Sequence, residues 1–242
     1  MNLDYNEEQT MLREQIQKFC ESEYDFYKRE EIVKSSDDFD KNAWNLFAEQ
    51  GWLSMPFSEE SGGLGFGAIE LSILFEEFGK ALVIEPYLAT VVLSGTLLDK
   101  SNYSGKNELI EKIGSGEMHI SLAYAEVNKS YDYSSLNTTI DSNNCLNGTK
   151  TLVLNGANAE KLIVSCMKDN ELNLVLVESS AKGISSNSFA TIDGQSCSEI
   201  SFENVEIDNS NIIASGDRAT DLLMNTINLA TLCVSAEAVG CM

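Results

Sequence analysis

One histidine, two prolines and only sixteen lysines and arginines occur in 242 residues. A single histidine, His119, excludes a two-histidine metal site and allows at most one Ser-His or Cys-His dyad. It opens an apolar run, Ile120-Ser121-Leu122-Ala123, where a structural histidine is the more common reading. Any redox chemistry would therefore rest on a bound cofactor. Against 38 acidic residues the few cations leave a formal charge of −22. Nucleic acid and anionic membranes both require a net basic face, so neither is expected as a partner. The charge itself reads as solvated surface. Six cysteines (Cys20, Cys145, Cys166, Cys197, Cys233, Cys241) form no CxxC pair and no cluster, the pattern of reduced, buried thiols. Met1-Asn2-Leu3-Asp4 begins no basic-then-apolar leader, and no long uninterrupted apolar stretch is seen. Neither secretion nor membrane insertion is indicated, and a cytoplasmic location is expected.

Apolar residues make up 43% of the chain, enough to fill a core. Up to about Gly116 the periodicity is helical. Asn6 with Gln9 resembles a capping box, and Leu12, Ile16, Phe19 and Cys20 share one face. A second helix carries Trp44, Phe47 and Ala48 and ends at Gly51. A third spans Ala68 to Phe78 and stops at Gly79, a fourth starts near Pro86 and runs to Leu98, and a fifth carries Leu109, Ile110 and Ile113. From Met118 short alternating runs take over: 119–126, 145–150, 152–155, 161–167, 172–178 and 197–205 read as strands, with a hairpin turn at Lys168-Asp169-Asn170-Glu171. Helices followed by strands predict an α+β fold, not a doubly wound sheet. After Gly216 a helix is apolar around most of its circumference, from Leu222 to Val239, and needs other helices to cover it.

The run Pro56-Phe57-Ser58-Glu59-Glu60-Ser61-Gly62-Gly63-Leu64-Gly65-Phe66-Gly67, then Glu70 and Leu74-Phe75-Glu76-Glu77-Phe78-Gly79-Lys80-Ala81-Leu82, resembles the signature of the acyl-CoA dehydrogenases. The run has no lysine and no preceding strand, so it reads as a connection between helices, not a phosphate cradle. The resemblance continues through Gly114-Ser115-Gly116-Glu117, Glu126, Asp132, Gly148-x-Lys150, Asn155-Gly156 and Phe202-x-x-Val205. The stretches 85–93 and 236–242 look most like small subunits of two-component pimeloyl-CoA-type dehydrogenases. The resemblance implies a helical domain (1–117), a β-barrel-like middle domain (118–215) and the first helix (216–242) of a C-terminal four-helix bundle. The rest of that bundle is expected beyond Met242.

It further implies FAD as cofactor and acyl-CoA as substrate, with α,β-desaturation and hydride transfer to flavin N5. Other dehydrogenase subunits, in a homo- or hetero-oligomer, and an electron-transfer flavoprotein are the implied partners. The flavin side would be Leu122, Tyr124 and Ala125 on the first β-strand, with Leu152 and Leu154. Here Ala125, Leu152 and Leu154 stand where the family has threonine, tryptophan and threonine. The CoA side would be Ser130, Tyr131 and Thr231, the last two replacing a serine and an arginine; for Tyr124, Tyr131 and Tyr133, simple packing is the alternative reading. No catalytic base is assigned: most members place a glutamate beyond Met242, and a minority place it at the position of Ala230. Glu237 lies about two helical turns further on. The competing reading is a non-catalytic subunit that supports a larger partner and has lost its own flavin contacts.

Overall fold

A computed structural model describes residues 4–242 except Ser36, Ser130, Tyr131 and Ser134. Helix α1 (Glu7–Glu23) begins at the expected box, Gln9 N–H donating to Asn6 Oδ1 at 2.8 Å and Asn6 N–H to Gln9 Oε1 at 3.1 Å. Helix α2 (Phe26–Lys34) was not legible in the sequence. It is capped by Asp25 but buries only Ile32, so it shows no apolar period. Helix α3 (Lys41–Glu49) leads to Gly51, whose φ of 75° is the left-handed turn anticipated there. The Gly-rich run is indeed a connection. Gly62 and Gly65 have positive φ, and a side chain on Gly63 would collide with the Phe57 backbone.

Two helix boundaries differ from expectation. Helix α4 (Ala68–Ala81) continues through Gly79 and stops at Leu82, which takes φ 55°. Gly79 is there for close packing, not termination. The helix expected from Pro86 is a π-helical stretch, Leu88–Gly95, running into α5 (Thr96–Lys100). The Ser94 hydroxyl donates to the Ala89 carbonyl at 2.9 Å, matching the wider turn. Helix α6 (Lys106–Gly114) completes the helical region.

The sheet holds β1 (Ile120–Ala123), β2 (Thr139–Ile140), β3 (Cys145–Leu154), β4 (Lys161–Lys168), β5 (Glu171–Glu178), β6 (Ile184–Ala190), β7 (Ser196–Glu206) and β8 (Ile212–Ser215). Its order is β6-β7-β3-β2-β4-β5-β8, with β1 lying parallel to β4. The β4–β5 hairpin turns at Asp169 and Asn170, both at positive φ, as a two-residue type I′ turn requires. Strand β1 is shorter than expected and ends at Ala123, and the runs 145–150 and 152–155 are one strand, β3. Its ladder shifts register between Lys150 and Val153, where Leu152 adopts φ 50°. Period-2 alternation divides the sheet's side chains between two cores. Val153, Val164, Val175, Val177, Ile200 and Phe202 pack on one face, while Ile163, Leu174 and Leu176 join Leu122 and the helices on the other.

Helix α7 (Gly216–Cys241) follows. A stripe of Ala219, Leu222, Leu223, Thr226, Ala230 and Cys233 is buried, whereas Met224, Leu232, Val234 and Val239 are exposed. Its last turns cross α4 so closely that a Cβ on Gly79 would meet the Glu237 carbonyl, and one on Gly240 the Glu76 carbonyl. Among the described residues this helix alone has the length and hydropathy of a membrane span. Asn225, Asn228 and several threonines interrupt it, so no uninterrupted apolar stretch stands out in the sequence. One face is engaged by α4 and the sheet.

Candidate functional site

The end of β1 lies beside the irregular part of β3. Thr151 N–H donates to the Ala125 carbonyl at 2.9 Å. Beneath this contact, the Lys150 ammonium lies 2.8 Å from Glu126 Oε1, 3.1 Å from Ser165 Oγ and 3.4 Å from the Tyr124 carbonyl. Glu126 also accepts from the Asn137 and Thr138 amides at 2.6 and 3.0 Å. Burial drives the Glu126 carboxyl upward, but Lys150 and the two amides more than offset this and hold it below the usual carboxylate range. Both motif residues are therefore structural: they fix the path of Tyr124 and Ala125.

Above that anchor the expected flavin-side residues divide. Leu122 is buried beneath the helical core. Tyr124 meets Tyr133 edge-on, ring centroids 5.9 Å apart. Ala125 offers its N–H, which no hydrogen bond engages among the described residues. Leu152, at the register shift, is about half exposed at 54%, and Leu154 is partly buried against the helical core. Ala125, Leu152 and Leu154 are each at least partly accessible, so the expected flavin side is apolar at these three positions and none of them carries a hydroxyl.

Of the expected CoA-side residues, Thr231 alone is among those the structure describes. Ser130 and Tyr131 lie outside the described residues. Thr231 is exposed on α7, but its hydroxyl donates to the Ile227 carbonyl at 2.8 Å and is engaged within the helix. Ala230 is buried and carries no acid.

His119 is structural, as its context suggested. Its ring lies 4.9 Å from Trp44 and 5.0 Å from Phe39, with Nδ1 3.3 Å from Thr90 Oγ1 and 3.4 Å from Asn155 Nδ2. Burial pushes its pKa down to about 4.

A pocket of about 360 Å³ adjoins Leu154 and was not legible in the sequence. Its walls are Ile84, Leu88, Leu154 and Val234, and Arg29, Asp193 and Glu237 stand around it. The α7 contribution, Val234, Glu237 and Cys241, follows an i, i+3, i+7 spacing that could have been read as one face. Only the fold brings that face to β3 and α2.

Residues 6–117 match the acyl-CoA dehydrogenase N-terminal domain and residues 121–205 the acyl-CoA dehydrogenase middle domain. The chain belongs to the acyl-CoA dehydrogenase family. It is 26% identical over 263 residues to the mitochondrial isovaleryl-CoA dehydrogenase of Arabidopsis thaliana, covering 100% of this chain and 62% of that protein. In structure it is similar to a chain of the ChsE4-ChsE5 complex from Mycobacterium tuberculosis (TM-score 0.87, 22% identity, 99% of this chain and 65% of that one). It is also similar to butyryl-CoA dehydrogenase from Megasphaera elsdenii (TM-score 0.85, 21% identity, 99% and 67%). The chain therefore spans roughly three-fifths to two-thirds of the length of these relatives.

Proposed function

We propose that this chain supplies the helical and β portions of an FAD-dependent acyl-CoA dehydrogenase that desaturates an acyl thioester between Cα and Cβ. The observation that carries this reading is the Ala125–Thr151 contact, which brings the end of β1, where the Ala125 N–H is unengaged among the described residues, against the part of β3 that carries Leu152 and Leu154. FAD, when bound, supplies the hydride acceptor. The Ala125 N–H would donate to the ring edge, and Leu152 and Leu154 would pack on its plane and exclude water. The ion pair of Lys150 and Glu126 holds these groups in register. The α-proton would go to a carboxylate that this chain does not place: Ala230 has none, and Glu237 is two turns away. Other dehydrogenase subunits, an electron-transfer flavoprotein as acceptor and a cytoplasmic setting belong to the same proposal.

Reconstitution tests it. The chain, alone and with any dehydrogenase subunit that co-purifies with it, is loaded with FAD, dialysed, and its flavin counted against protein. About one flavin per copy of this chain is the expected result. A second reading has its own support: three aliphatic residues, Ala125, Leu152 and Leu154, occupy the expected flavin side, and the Thr231 hydroxyl is engaged by Ile227. In that reading the chain is a supporting subunit of a heteromeric dehydrogenase. One flavin per pair of unlike chains would establish it and displace the first.

A further inference from the structure

The Lys150 ammonium has three N–H donors, and each has an oxygen to face: Glu126 Oε1 at 2.8 Å, Ser165 Oγ at 3.1 Å and the Tyr124 carbonyl at 3.4 Å. Ser165 Oγ donates in turn to the same carbonyl at 3.4 Å. Lys150 and Ser165 are both fully buried. Burial pulls the Lys150 pKa below its ordinary value, and the neighbouring Glu126 carboxylate acts against this. That carboxylate also accepts from the Asn137 and Thr138 amides, which spread its charge. The ion pair is therefore a dipole whose positive end faces a carbonyl oxygen. At 3.4 Å the contacts are long for hydrogen bonds, so the effect on that oxygen is chiefly the Coulombic one of a buried cation.

The carbonyl is one half of the Tyr124–Ala125 peptide. The other half is the Ala125 N–H, which no hydrogen bond engages among the described residues. A peptide is conjugated, so charge drawn toward its oxygen is drawn away from its N–H. Interaction at the oxygen thus strengthens the hydrogen bond that the N–H can make. We propose that Lys150, with Ser165 as relay, is a positioning residue acting through the Tyr124–Ala125 peptide: it makes the Ala125 N–H a stronger donor and so favours reduced flavin over oxidised flavin. The proposal rests on the dehydrogenase reading for the identity of its ligand. A pair that only anchored the backbone would support both redox forms alike. A polarised donor instead supports most the form that carries more negative charge.

Tyr124–Ala125 is the only Tyr-Ala pair in the chain, so labelling tyrosine with ¹³C at the carbonyl and alanine with ¹⁵N gives one correlated NMR signal, from that peptide. Two variants of the full chain are compared with the parent. Lys150→Met with Glu126→Gln removes both charges together, and Ser165→Ala removes the relay but keeps the ion pair. In both, the Tyr124 carbonyl carbon and the Ala125 nitrogen should move upfield, further in the double variant. In Ser165→Ala the Thr151 amide, which donates to the Ala125 carbonyl, should stay in place. The reduction potential is then measured on FAD-loaded protein. The ratio of reduced to oxidised flavin affinity should fall about five-fold in the double variant, about 20 mV for a two-electron couple. Unmoved Tyr124 and Ala125 signals would overturn the proposal, as would an unchanged or raised potential. So would movement of Thr151 together with them in Ser165→Ala, the sign of a displaced backbone and a purely structural pair. If the double variant does not fold, Ser165→Ala decides by the same signals and a smaller fall in potential. A parent chain that takes up no flavin sinks the dehydrogenase reading and the flavin half of the proposal with it, while the two signals still decide whether Lys150 polarises the peptide. Flavin bound at an unaltered potential sinks this proposal alone.

Discussion

Lys150 Nζ and Glu126 Oε1 are 2.8 Å apart, with side-chain exposures of 0% and 2%. The pair ties the centre of β3 to the loop that follows β1, and the amides of Asn137 and Thr138 complete the carboxylate's coordination. A buried ion pair does not by itself add much stability, because desolvation consumes most of the attraction. Its value here is positional. It sets Tyr124 and Ala125 against Thr151, and so shapes the candidate flavin face.

Removing one partner should therefore be costly. Lys150→Met leaves the Glu126 carboxylate buried without its cation and should lower stability to urea by about 3–5 kcal/mol. The double variant Lys150→Met with Glu126→Gln should lose less than the two single losses added together. Strict additivity would mean that the pair is not coupled.

Stability should fall on both sides of neutrality, for different groups. Glu126 has a depressed folded pKa, so its contribution is present above the ordinary carboxylate range and is lost as acid protonates it in the fold. His119, pushed down to about 4, acts in the same direction: its contribution is present above its unfolded pKa near 6.5 and lost as pH falls toward 4. Glu85 acts oppositely. Burial pushes its pKa up to about 7, and its Oε2 has no hydrogen-bond partner. Its folded form favours the proton, so its contribution is full below about pH 4.3 and lost as pH rises through 7. Glu85→Gln should raise stability at pH 8.5 by on the order of 2–3 kcal/mol and do little at pH 4. Urea unfolding at the two pH values checks this; an equal effect at both would refute it.

The crossing of α7 on α4 depends on two absent side chains. Gly79→Ala places a methyl against the Glu237 carbonyl and Gly240→Ala one against the Glu76 carbonyl. Each should cost about 1–3 kcal/mol or more, since backbone must move. Limited proteolysis should show α7 cleaved first in either variant. Ala238→Ser, on an exposed position of the same turn, is the control expected to behave like the parent chain.

Flavin affinity should respond to hydroxyl groups introduced at the candidate face. Ala125→Thr and Leu154→Thr each add a hydroxyl donor to the candidate flavin side and should tighten FAD binding by about 0.5–1.5 kcal/mol, up to roughly ten-fold. Quenching of flavin fluorescence measures it. No gain from either variant would mean that the ring does not lie on this face.

The helices with a clear apolar stripe, α1, α3, α4 and α6, were legible because one face of each enters the core at helical spacing. Helix α2 was not, since only Ile32 is buried and Phe26 and Tyr27 are exposed. Strands β4, β5 and β7 alternate because the sheet separates two cores. Strand β6 buries almost nothing and β2 is two residues long, so neither carries a pattern. The Gly-rich run was legible as a connection and as the mark of the family, both from glycine's conformational freedom.

The sequence by itself determined the order of helices and strands, the family, and the replacement of hydroxyl-bearing side chains by Ala125, Leu152 and Leu154, because these follow from residue identity and short-range periodicity. Only the tertiary structure decided that Glu126 and Lys150, 24 residues apart, neutralise each other, that Gly79 admits α7 instead of ending α4, and that Arg29, Leu154 and Glu237 line one pocket. Each of these is a contact between segments distant in the chain. No local propensity encodes such contacts; burial, close packing and the satisfaction of charge in the assembled core select them.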